Sequence, residues 1–133
     1  MDALPEWPDG TVAVLATAGE APHAIPVSLL VRAGDQELLV GLAPRRLALE
    51  RLRADPRATV TILAAGDHAI TAHARAVAFE DAAGVVAVRL AVERIADHNR
   101  PTYEIEGGVR WRWTDDGERE RDAATRAALK ELA

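Results

Sequence analysis

The feature that most restricts this chain is the spacing of its turn signals. Gly19-Glu20, Gly34-Asp35 and Gly66-Asp67 cut it into short apolar runs rich in β-branched residues. Such runs, bounded by residues that accept reversal geometry, read as strands followed by turns, with successive strands as antiparallel neighbours. Residues 11–18 (TVAVLATA) are the first run, 22–32 (PHAIPVSLLVR) the second and 36–42 (QELLVGL) the third. Pro22 and Pro26 exclude a helix from the second and place part of it at an edge or bulge. The chain opens as a β-meander.

The period then changes. Over 44–54, Pro44 suits a first helical position, Leu47, Leu49 and Leu52 share a face, the arginines fall mainly opposite, and Asp55-Pro56 stops the helix. Residues 58–64 (ATVTILA) alternate as a strand, Gly66-Asp67 turns, and 68–79 (HAITAHARAVAF) completes a hairpin. Residues 85–95 (VVAVRLAVERI) fit either period, and their β-branched content favours a strand. A short extended piece at 102–106 and Gly107-Gly108 lead into VRWRW (109–113), read as a strand with Val109, Trp111 and Trp113 on one face. After Asp115 or Asp116 as cap, 117–132 forms a helix with Ala124, Ala127, Ala128 and Leu132 as its apolar stripe. About seven strands without sustained strand–helix alternation give a mainly β fold: a small closed or half-closed barrel with one interior and one C-terminal helix. A length of 133 residues holds one such domain, spanning 1–133.

Composition removes several function classes. No cysteine means no disulfide, no thiolate nucleophile and no cysteine-held zinc or iron–sulfur cluster. A net charge of −5 argues against a nucleic-acid surface. No apolar run reaches the roughly 18 residues of a membrane helix, and the acidic, proline-broken Met1–Glu6 is no secretory signal, so a cytoplasmic protein is expected. The charge is uneven, however: residues 41–57 carry +3, from five arginines against Glu50 and Asp55, and form the single basic island. A local positive patch on an acidic protein suits a small anion. With only five aromatic residues (Trp7, Phe79, Tyr103, Trp111 and Trp113), the core must be built from Ala, Val, Leu and Ile.

Most catalytic constellations are missing. His68 and His73 are five apart on one strand and so face opposite ways, and no histidine pair has helical ligand spacing, so no metal site is expected. His23 and His73, flanked by small residues, read as pocket-lining or core-edge groups. Ser28 lacks a nucleophile elbow, and Gly107-Gly108 opens no helix, which removes dinucleotide and phosphate-loop motifs. Two features remain. Arg45 and Arg46 stand at a helix start, where they oppose the dipole unless an anion arrives; this fits a phosphate cradle, whereas Arg51, Arg53 and Arg57 read as an ordinary solvated face. Trp111 and Trp113 read as core, as walls for a planar ligand, or as a subunit contact.

The order of elements resembles the pyridoxamine 5′-phosphate oxidase-like split barrels in their short form. The likeness lies in TVAVLATAGEAPHAIPVSLLV, in LLVGLAPRRLALERLRADPRATVTIL with its Asp55-Pro56-Arg57 junction, in HAITAHARAVAF and in RWRW, over about residues 7–114. The resemblance implies a homodimer of split barrels binding FMN, or the related deazaflavin coenzyme, between subunits. Ile25, Pro26, Val27 and Ser28 would then pass along the ring system, while Leu42, Ala43, Arg45 and Arg46 would hold the phosphate. His73 would line the pocket, and Trp111 or Trp113 would come from the partner subunit. One departure stands out: where the family carries a Ser-Arg-Lys-like run, this chain has Arg46, Leu47 and Ala48. Two function classes follow, a flavin- or deazaflavin-dependent oxidoreductase acting on a small molecule, and a non-catalytic split barrel that has lost its flavin or carries another planar ligand.

Overall fold

The computed structural model describes residues 1–133. Its elements are β1 (Ala13–Thr17), β2 (His23–Val27), β3 (Leu30–Gly34), β4 (Glu37–Leu42), α1 (Leu47–Ala54), β5 (Arg57–Ala64), β6 (His68–Ala82), β7 (Val85–Asp97) and α2 (Asp116–Leu132). All seven strands pair antiparallel in one sheet of order β2-β1-β5-β6-β7-β4-β3. The two edge strands, β2 and β3, are separated in sequence only by Ser28 and Leu29. A flat sheet of that order would hold its edges roughly 28 Å apart at the usual strand spacing. Two linking residues reach only about 10 Å, so the sheet curls into a half-barrel. The expected mainly β barrel with one interior and one C-terminal helix is the fold observed.

The single run read at 22–32 is therefore two strands with different partners. β2 pairs with β1 (Leu15 opposite Ile25), whereas β3 pairs with β4 (Leu30 opposite Val40). The inward positions of the strands form a core of 23 buried residues without one aromatic; Trp7 and Phe79 pack only on its margin. Two expected strands do not form. Residues 102–106 and 109–113 join no ladder; Ile105 N–H instead donates to Asp67 (2.8 Å) and Trp111 Nε1 to Gly10 O (2.8 Å). At 85–95 the strand reading was correct, and Ala83 (φ 45°) and Gly84 (φ 88°) make the tight turn before it.

α1 starts three residues later than expected. Pro44 lies inside a turn closed by Arg46 N–H donating to Ala43 O (3.0 Å), and Arg46, still extended, is the N-cap. Ala48, Leu49 and Leu52 are its buried face, while Leu47 is 52% exposed, contrary to expectation. The helix stops at Asp55, whose carboxylate accepts from Arg57 Nε (3.1 Å), Arg57 NH2 (2.7 Å) and the Arg57 backbone N–H (3.1 Å).

α2 begins with Asp115 accepting from Glu118 N–H (3.0 Å). It lies over the outer side of β3, β4 and β7, where Leu129 is fully buried against Val31, Leu39 and Ala87. Gly41 permits this approach, since a Cβ there would stand 3.2 Å from Leu129 Cδ1. The buried stripe is Thr125, Arg126 and Leu129 rather than Ala124, Ala127, Ala128 and Leu132. Polar groups can sit there because each is satisfied: Thr125 Oγ1 donates to Ala83 O (3.1 Å) and Arg126 NH1 to Ser28 O (3.1 Å).

Two stability predictions follow from these contacts. Leu129→Ala should lower urea-unfolding stability by about 3 kcal/mol and clearly more than Leu132→Ala; equal losses would mean that this cluster does not hold α2. The Arg57 guanidinium beside Asp55 lowers that carboxyl to about 2. A carboxyl depressed in the folded state adds stability above its unfolded value, about 3.9, and loses it as pH falls toward 2. Asp55→Asn should therefore flatten the loss of melting temperature between pH 4 and about 2; a profile parallel to wild type in that window would rule the contribution out.

Candidate functional site

The start of α1 is an anion-binding geometry. Arg46 offers no side-chain cap, and the N–H groups of Leu47 and Ala48 find no acceptor in the chain. Ala43, Arg45 and Arg46 are exposed, and the two guanidiniums make no ion pair or hydrogen bond. Free N–H groups at a helix start with two unengaged guanidiniums fit a phosphate. Ala48 is 1% exposed and packed in the core, so Arg45 and Arg46 are the cations at this helix start. Leu42 is likewise buried and offers only its backbone.

The other arginines of the basic island are not a plain solvated face. Arg51 Nε donates to Thr17 Oγ1 (2.9 Å) and its NH2 to Ala21 O (2.5 Å), which fastens α1 to the β1–β2 turn. Arg53 lies 4.4 Å above the Phe79 ring, and Arg57 is held by Asp55. The apolar face of α1 covers the barrel end, which leaves these longer side chains to grip its rim.

On β2 the residues alternate. Ile25 and Val27 turn into the core and Pro26 is exposed, while half-buried Ser28 begins the link to β3. His23, opposite Thr17, sits at the core edge with Nε2 buried and unpartnered. His73 instead faces outward, in register with Thr59 and Ala16, and its Nε2 accepts from Arg94 NH2 at 3.1 Å. Together with Arg57 and Arg75 it lines a cavity of about 400 Å³ on the outer side of β1, β5 and β6. α2 leaves this side bare. Val14 and Leu63 are 43% and 52% exposed on it, and Thr61, Thr71 and His98 form a hydrogen-bonded chain across it (3.0 and 2.9 Å).

Trp111 and Trp113 line a larger cleft, of about 640 Å³, between the N-terminal loop, residues 108–113 and α2. Neither Arg45, Arg46 nor His73 lines it. Arg126 connects the cleft to the β2–β3 link, since its guanidinium lines the one and donates to Ser28 O in the other. Nothing in the helical period of α2 marked Arg126, and no local pattern marked the Arg51 contacts or the Thr61–Thr71–His98 chain.

The fold has solved counterparts. An NADH:FAD oxidoreductase of Streptomyces globisporus superposes with a TM-score of 0.60 at 15% identity, covering 80% of this chain and 82% of that one. A candidate pyridoxamine 5′-phosphate oxidase from Lactobacillus delbrueckii gives 0.60 at 16%, covering 72% and 95%. The chain has the split-barrel fold of the pyridoxamine 5′-phosphate oxidase-like proteins. The styrene monooxygenase flavin reductase of Pseudomonas putida S12 shares the same split barrel (TM-score 0.56, 13% identity, 67% and 79% covered). No family model and no curated protein sequence matches the chain.

Proposed function

We propose that this split barrel binds FMN through its phosphate at the start of α1 and acts as a flavin-dependent oxidoreductase on a small molecule. The observation that carries the reading is the uncapped α1 N-terminus flanked by the unpaired Arg45 and Arg46. Flavins are named for several proteins of the same fold, among them an NADH:FAD oxidoreductase and a flavin reductase. A bound flavin supplies hydride acceptance and donation. The chain's own part is to orient and enclose. Arg45 and Arg46 balance the phosphate charge beside the backbone at Ala43, the exposed side of β2 at Pro26 and the backbone at Ser28 border the ring, and His73 faces the open side of the sheet. The tryptophan cleft does not reach the α1 start of the same chain. A second copy of the chain, docked on the bare side of the sheet, would cover the flavin, and homodimerisation is part of the proposal.

The deazaflavin coenzyme is the alternative occupant. A second reading, a non-catalytic binding protein, is favoured by one observation, the buried Ala48 in place of a phosphate-binding lysine. Absorbance of the freshly purified protein separates these readings: a band near 450 nm marks a flavin and one near 420 nm a deazaflavin. A colourless protein that leaves added FMN fluorescence unquenched would rule the flavin reading out. Arg45→Ala with Arg46→Ala should weaken FMN binding at least about tenfold while changing riboflavin binding little; equal weakening of both would remove the phosphate role.

A further inference from the structure

The tryptophan cleft is a built site with its own chemistry. Trp111 and Trp113 meet edge to face, with centroids 5.2 Å apart and planes at 82°, so that two flat surfaces stand at right angles. The corner is fixed. Trp111 Nε1 donates to Gly10 O (2.8 Å), and Gly10, at φ +81°, lets the loop turn beneath the indole. Gly108 sits so close to β5 that a Cβ would stand 2.8 Å from Leu63 O, and Lys130 Nζ reaches Asp9 (2.8 Å) to tie α2 to the N-terminal loop. The two indoles remain 40% and 38% exposed in the cleft. Such a corner stacks a flat ring on one indole and takes its edge against the other.

The charge in the cleft opposes that of the protein. Arg110, Arg112, Arg119 and Arg126 face Asp9 and Asp122, a local +2 in a chain of −5. Most of these groups are engaged: Arg126 by Asp122 (3.4 Å) and Ser28 O, Arg119 by Asp116 (3.2 Å), Asp9 by Lys130. Arg110 and Arg112 have no partner anywhere in the chain. Their planar guanidiniums carry donors in the fork geometry that a carboxylate accepts two at a time.

We propose that this cleft binds a planar aromatic carboxylate, its ring held in the Trp111–Trp113 corner and its carboxylate by Arg110 and Arg112. The site goes beyond the flavin reading and does not rest on it, since one chain supplies every residue named and none belongs to the α1 cradle. The probe is 2-naphthoate, compared by isothermal titration with 2-naphthamide, which has nearly the same shape and no charge. The acid should bind at least about tenfold tighter than the amide. Arg110→Ala with Arg112→Ala should remove that preference and leave the amide unchanged; both side chains are exposed and unpartnered, so the variant should fold. Trp113→Ala should weaken acid and amide alike. Equal binding of acid and amide, no binding of either at millimolar concentration, or an unchanged preference in the double arginine variant would overturn the proposal. The titration is repeated with FMN present. Unaltered naphthoate binding supports a separate site, and competitive displacement by FMN overturns it by making the cleft the flavin's own. Absence of FMN binding would remove the flavin reading and leave the naphthoate result standing.

Discussion

The link of two residues between β2 and β3 governs the rest of the molecule. Ser28 and Leu29 must carry the chain from one edge of a seven-stranded sheet to the other, which is possible only if the sheet curls until its edges meet. The link is then held from both sides. Gly41 N–H donates to Leu29 O (2.9 Å) from β4, and Arg126 donates to Ser28 O from α2. A buried guanidinium is costly unless paired, and Asp122 with the Ser28 carbonyl supplies the pairing. α2 is thereby committed to the β3–β4–β7 side, and the β1–β5–β6 side stays open for a ligand or a second chain.

Much of this was legible in the sequence because the signals are local. Gly66-Asp67 marked the β5–β6 hairpin, where both residues take positive φ, Asp115 marked the start of α2, and the shortage of aromatics correctly foretold an aliphatic core. What stayed hidden depends on partners far along the chain. The run 22–32 has no internal break that says its halves join opposite edges, and VRWRW alternates like a strand but is held off the sheet by Trp111 Nε1 on Gly10 O, 101 residues away. Arg51 and Arg126 look like surface arginines by helical position, and only contacts 34 and 98 residues away in sequence make them structural. Of the candidate site, Arg45 and Arg46 are the exposed cations at a helix start that the sequence suggests, whereas Ile25, Val27 and Leu42 turn their side chains into the core.

The arginines sort by whether the fold uses them. Arg32, Arg57, Arg75, Arg89, Arg119, Arg121 and Arg126 have acidic partners, Arg51 grips the β1–β2 turn, Arg53 covers Phe79, and Arg94 meets His73. The guanidiniums left over are Arg45, Arg46, Arg100, Arg110 and Arg112. Four of these five form two sequence-local pairs, one at an uncapped helix start and one beside two indoles. In a protein with more acidic than basic groups, unpaired arginines need not arise from a shortage of carboxylates. Under the two proposals, each pair is placed to meet an anion.

The aromatic residues divide in the same way. None of the 23 buried core residues is aromatic, and only Trp7 and Phe79 pack against the core's margin. Trp7 closes the barrel margin and bonds Leu30 O (3.1 Å), a structural duty that leaves it partly buried. Trp111 and Trp113 are instead carried on a segment outside the sheet, pinned through one indole nitrogen, and left partly exposed. Exposing two large rings in water forgoes the stabilisation their burial would give, on the order of 2 kcal/mol each. In a chain that spends so few aromatics, fixing two of them in that state beside the free Arg110 and Arg112 makes sense when something flat and anionic completes the burial.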